Sequence, residues 1–207
     1  MYEVEVKVPA DHDVVRDALA DAGAERVATL AQADTYFDAP HREFAETDEA
    51  LRVRRVASAT SAFDRQAVAA DTLTSAIDAV LDGEFRASGE CRVTYKGPLL
   101  EAESKSREEF ETAVGSGDEM RDILVHLGFD PAATVRKLRE KYHLDGFTVV
   151  LDEVEDVGEY VEVETDVETA ADVGPAREEA YDLLERLGLD PADQIRTSYL
   201  GLKLGEA

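Results

Sequence analysis

Glu3, Glu5 and Lys7 stand at alternate positions near the start of the chain. In an extended strand successive side chains point to opposite faces, so these two carboxylates and the ammonium share one face and Val4 and Val6 the other. The pattern recurs. Glu162 and Glu164 lie opposite Val161 and Val163, and Arg52 and Arg54 share a face. So do Arg92, Thr94 and Lys96. Arg107, Glu109 and Glu111 lie opposite Phe110; Lys137, Arg139 and Lys141 lie opposite Leu138; Asp152 ends an apolar run. For any one strand a solvated outer face is the ordinary reading. However, the only lysines are Lys7, Lys96, Lys105, Lys137, Lys141 and Lys203, and several sit mid-strand beside other charges. If the sheet closes into a barrel, these faces converge in a polar lumen. Such a lumen must hold both signs and something that binds both. A polyphosphate with a divalent metal does so: Arg and Lys take phosphate oxygens, and carboxylates take Mg²⁺.

The elements that would position these residues can be read coarsely. Strands are expected at 2–8, within 25–38 (one or two), at 50–56, 90–97, 106–114 and 159–165, with a hairpin about Asp145-Gly146 formed by 133–146 and 147–158. Helices are expected from a cap at Asp11 or Asp13, before Gly128 and over about 174–187, with Gly23, Gly128 and Gly188 as stops. Residues 57–90 are rich in Ala, Ser, Thr and Asp and read as a partly helical or mobile insertion between two strands. The near-repeat of 121–137 in 181–197 is recurrent helix punctuation. The result is an α+β chain of mainly antiparallel strands, without βαβ alternation or a Gly-rich phosphate loop.

The 207 residues fit a single domain, 1–207. They carry 47 acidic against 22 basic residues, a formal net charge of −25. That balance argues against nucleic acid or an anionic membrane as partner. With 44% hydrophobic residues the chain is a folded protein, and the composition resembles that of halophilic proteins from salt-accumulating cells. Neither a signal peptide nor a membrane span is evident, so a cytoplasmic location is expected. The single Cys91 excludes an intrachain disulfide and a cysteine metal cluster. His12, His41, His126 and His143 fall at no recurring position, and no Ser-His-Asp set suggests covalent catalysis. The sequence leaves a homodimer open.

The residues 3–7, Glu-Val-Glu-Val-Lys, resemble the E-x-E-x-K signature of the CYTH superfamily, the triphosphate tunnel metalloenzymes. The resemblance continues, in order, through 34–38, 51–54, 94–98, 106–111, 135–142, 151–164 and 198–202. It departs at 57–90, where the family usually has a short link. The resemblance implies a closed or nearly closed eight-stranded antiparallel β-barrel with helices packed outside. It implies Glu3, Glu5, Asp152, Glu162 and Glu164 as ligands of Mg²⁺ or Mn²⁺, with Glu109 and Glu111 as a second tier. It implies Lys7, Arg52, Arg54, Lys96, Lys137 and Arg139 as triphosphate ligands, Lys7 and Arg139 being the catalytic pair. Tyr36 and Tyr199 match motif aromatics, with packing as an equal reading. The implied substrate is ATP or another triphosphate. The segments 94–111 and 156–164 are most similar to class IV (CyaB-type) adenylate cyclases. Hydrolysis of thiamine triphosphate, tripolyphosphate or a nucleoside triphosphate is the alternative, and a non-catalytic triphosphate sensor a third.

Overall fold

The computed structural model describes residues 2–65, 72–99 and 107–205. Eight strands, all paired antiparallel, form a closed barrel: β1 (Tyr2–Pro9), β2 (Glu25–Asp38), β3 (Ala50–Ala59), β4 (Arg86–Leu99), β5 (Arg107–Val114), β6 (Asp130–Leu144), β7 (Phe147–Val154) and β8 (Gly158–Val167). Around the barrel the order is β1-β5-β4-β3-β2-β6-β7-β8, and β8 returns to β1. The β1–β8 joint runs the length of β1, from Tyr2 opposite Val167 to Pro9 opposite Tyr160. Across the β1–β5 joint, among the described residues, Tyr2 stands opposite Glu108 and Glu3 opposite Arg107.

The helices lie outside: α1 (His12–Asp21), α2 (Phe44–Thr47), α3 (Leu73–Leu81), α4 (Gly117–His126), α5 (Val173–Arg186) and α6 (Tyr199–Leu204). None among the described residues is long and apolar enough to cross a membrane. Local chemistry sets their ends. The Asp11 carboxylate accepts from the amides of Asp13 and Val14 to start α1, and Ser116 Oγ accepts from the Glu119 amide to start α4. The β6–β7 hairpin turns through Asp145 at φ 50° and Gly146 at φ 87°, the left-handed pair such a two-residue turn requires.

The apolar core sits outside the barrel wall. Val6 and Val8 of β1, Val149 and Leu151 of β7, and Val161 and Val163 of β8 pack with Leu183, Leu184 and Leu187, against and just beyond α5. On another side α3 buries Ala76, Ile77, Val80 and Leu81 against Ala31, Ala57 and Leu138. Since side chains alternate, burying the valine face beneath helices turns the charged face inward.

The flanking strands reach into the segment 57–90 from both ends, and α3 supplies its helical part. Residues 57–59 continue β3 and 86–90 begin β4, paired from Ala57–Gly89 through Ala59–Arg86. Small residues such as Ala57, Ser58 and Gly89 gave no strand signal, but the ladder needs only their backbone. Residues 66–71 of that segment lie outside the described residues.

Candidate active site

The inward faces enclose a cavity of about 1080 Å³ lined by Glu3, Glu5, Lys7, Arg52, Arg54, Lys96, Glu109, Glu111, Lys137, Arg139, Glu162 and Glu164, with other residues. Every charged residue expected at the site lines this cavity except Asp152, whose fully buried carboxylate is bonded to the lining Lys137 and Arg139.

Cross-strand register brings the groups together. Lys7 stands opposite Glu162 and Glu5 opposite Glu164 across the β1–β8 joint. Glu5, Glu162 and Glu164 each offer a carboxylate oxygen, and these oxygens lie within 4.8 Å of one another. Burial pushes Glu164 up to about 8; Arg139 opposes this, while Glu162, Glu3 and Glu5 add to it. Three crowded carboxylates, one of them unwilling to ionise alone, form an all-oxygen set that a hard divalent cation would satisfy.

Two buried aspartates organise the cations. Asp34 of β2, opposite Arg54 of β3, accepts two bonds from Arg54, Nε to Oδ1 and Nη2 to Oδ2, each 2.7 Å. Arg52 Nη1 lies 3.5 Å from both Asp34 Oδ2 and the Tyr36 hydroxyl. Burial alone would raise the Asp34 carboxyl, but Arg54 and Arg52 hold it far below the usual range. Asp152 of β7 serves β6 in the same way. It accepts from Lys137 Nζ at 2.7 Å and from Arg139 Nε and Nη2 at 2.7 and 2.6 Å. Asp152 is fully buried. Its oxygens are committed to these cations, and it stands outside the Glu5–Glu162–Glu164 cluster. Arg139 reaches on to Glu164 at 3.1 Å and to Glu162, so one guanidinium links the aspartate to the carboxylate trio.

On the opposite wall Lys96 Nζ bridges Glu3 and Glu109, at 2.7 Å to each. Burial alone would lower this ammonium; Glu3, with help from Glu109, holds it above its ordinary range. Glu111 accepts from Thr94 Oγ1 at 2.8 Å and from Arg92 Nη1 at 2.5 Å. Lys7 is arranged differently. Its Nζ donates to the Thr197 carbonyl at 2.8 Å and lies over the Tyr199 ring. No carboxylate ion-pairs with it among the described residues, so an arriving anion would meet a cation without a competitor.

Asp34 and Gln32 belong to this wall or its support and were not among the expected site residues. Alternation from Tyr36 through Asp34 to Gln32 in β2 was the available signal. The surrounding alanines put small apolar residues on both faces of that strand and hid it.

A family model described as CYTH domain matches residues 1–199. The chain belongs to the CYTH family. Enzymes of this family are adenylate cyclases or triphosphatases that use divalent metals. Over 204 residues this CYTH chain is 32% identical to a Methanocaldococcus jannaschii protein provisionally named an adenylate cyclase, covering 98% of this chain and 99% of that one. It is similar to the solved PH1819 protein of Pyrococcus horikoshii, with TM-score 0.80, 31% identity and 99% of each chain covered. The fold also matches a Hippeastrum protein provisionally named an adenylyl cyclase, for which a dominant triphosphatase activity is described. There the TM-score is 0.57 and the identity 19%, with 100% of this chain and 96% of that one covered.

Proposed function

We propose that this CYTH protein is a class IV adenylate cyclase that binds ATP in its lumen and releases cyclic AMP and pyrophosphate. The observation that supports it most is that Lys7, Arg52, Arg54, Lys96, Lys137 and Arg139 face one cavity together with the carboxylates of Glu5, Glu162 and Glu164. The planar forks of Arg52, Arg54 and Arg139 suit phosphate oxygens, and Lys7, Lys96 and Lys137 add point charges. Mg²⁺ or Mn²⁺ on Glu5, Glu162 and Glu164, with Glu3, Glu109 and Glu111 as further candidates, would neutralise phosphate charge and make the attacking hydroxyl easier to deprotonate. Asp34 and Asp152 fix the angles of the cations before substrate arrives, and such preorganised charge is what phosphoryl chemistry asks of a protein. Lys7 and Arg139 border the carboxylate trio and would face the charge that develops on the departing pyrophosphate. Full-length similarity to the M. jannaschii protein favours the cyclase. This reading also makes the protein cytoplasmic.

A second reading is a triphosphatase acting on thiamine triphosphate, tripolyphosphate or a nucleoside triphosphate. The same cations would serve it, and the triphosphatase activity described for the Hippeastrum protein favours it. The reactions differ in which phosphorus meets the nucleophile and in whether that nucleophile is the ribose 3′-hydroxyl or water.

Purified protein in molar KCl with Mg²⁺ or Mn²⁺ is given ATP, thiamine triphosphate and tripolyphosphate in turn. Cyclic AMP with pyrophosphate from ATP is expected. Orthophosphate as sole product, fastest from tripolyphosphate or thiamine triphosphate, would replace the cyclase with the hydrolase. Tight binding of all three without turnover would make the protein a sensor. Glu162→Gln should abolish metal-dependent turnover in either enzyme while the fold persists.

A further inference from the structure

Tyr199 opens α6 and is buried, yet its hydroxyl has no hydrogen-bond partner among the described residues. Its ring carries two ammonium groups, Lys7 Nζ at 4.2 Å and Lys137 Nζ at 4.8 Å from the centroid. The ring is held firmly. It meets Tyr160 edge-on at 5.3 Å, and Ser198 caps α6 through the Gly201 amide at 3.0 Å. The preceding segment is tied to Lys7 twice: the Ile195 amide donates to the Lys7 carbonyl, and Lys7 Nζ donates to the Thr197 carbonyl, both at 2.8 Å.

Two like charges brought to one place repel, and the negative face of an aromatic ring offsets that repulsion. Phenylalanine would supply the same face and the same packing. It would also avoid the cost of a buried hydroxyl without a partner. The hydroxyl therefore calls for a partner that arrives with the ligand. Tyr199 lines the main cavity beside Lys7 and Lys137, where a phosphate would sit.

We propose that Tyr199 is a positioning residue for the triphosphate: its ring holds Lys7 and Lys137 at one level of the cavity, and its hydroxyl donates to a phosphoryl oxygen when the anion binds. The proposal rests on the triphosphate reading above. Burial, together with Asp152 and Glu162, keeps the phenol well above its ordinary pKa, so the proton remains available to donate.

Calorimetric titration of inorganic tripolyphosphate in molar KCl with Mn²⁺ tests it on wild type, Tyr199→Phe and Tyr199→Leu. Loss of the hydroxyl alone should weaken binding about threefold to tenfold. Loss of the ring as well should weaken it about tenfold to a hundredfold. Affinity for Mn²⁺ alone should stay at the wild-type value in both, because Glu5, Glu162 and Glu164 are untouched. Wild-type tripolyphosphate affinity in Tyr199→Phe overturns the hydroxyl's part, and wild-type affinity in Tyr199→Leu overturns the ring's part. Parallel loss of Mn²⁺ affinity in Tyr199→Phe would mean a deformed lumen and would also overturn the proposal. If Tyr199→Leu does not fold, Tyr199→Phe decides. A wild type that binds no tripolyphosphate would instead remove the triphosphate reading itself.

Discussion

Glu164 is the carboxylate whose state depends most on what else occupies the lumen. Its folded pKa of about 8 lies above the ordinary 4.5, chiefly through burial. In metal-free protein it therefore contributes stability that is complete below about pH 4.5 and lost as pH rises through 8. A divalent cation reverses the preference, since it binds the ionised form. Adding Mn²⁺ in weak buffer at pH 7 should release up to about one proton per protein, read with a pH indicator. Thermal unfolding with chelator should show a fall in stability towards pH 8 that Mn²⁺ removes. A pH-independent midpoint in both conditions would refute the assignment. At this scale the sequence was legible in part. Residue types and alternation placed Glu3, Glu5, Lys7, Arg52 and Arg54 on one wall. They could not say that Asp152 would be consumed by Lys137 and Arg139, because that depends on the β6–β7 register, which places Arg139 opposite Asp152.

Among the elements, α3 is the one whose packing says most beyond its sequence reading. It lies in the segment read as an insertion, yet Ile77 and Val80 are fully buried over β2, β3 and β6. These strands carry Asp34, Arg52, Arg54, Lys137 and Arg139 on their inward faces. Ile77→Ala should lower stability by about 2–5 kcal/mol, measured by denaturant unfolding in high salt. Excising residues 60–85 should cost more than their loop entropy, because Ala31, Ala57 and Leu138 would be uncovered. An excised variant as stable as the parent would show α3 to be dispensable. The helical spacing of 73–81 was readable from sequence. Which strands it covers was not, since Ala31 and Ala57 are too small to announce a packing face.

The whole molecule carries a net charge of −25, and many of its 22 lysines and arginines line the cavity rather than offset the acidic surface. Self-repulsion of the acidic surface should dominate its response to salt, since the screening length falls from about 10 Å at 0.1 M to about 3 Å at 1 M. The unfolding temperature should climb steadily from 0.1 M to molar KCl. A flat or falling profile would show that the surface charges are too well spaced to matter. The closed α+β barrel was expected from the ordered run of motifs. Which strands meet at the closure was not, because no residue pattern in Arg107–Val114 indicates that β5 pairs with β1 as well as with β4.

The bridge that Lys96 makes has a consequence that native-state hydrogen exchange should register. From β4 its ammonium reaches Glu109 of β5 and Glu3 of β1, so one side chain clasps three successive strands of the ring. Lys96→Met keeps the length of the side chain and removes its charge. The amides of Tyr2 and Glu3 should then exchange faster, through local opening rather than global unfolding, while those of the β7–β8 pair keep their wild-type rates.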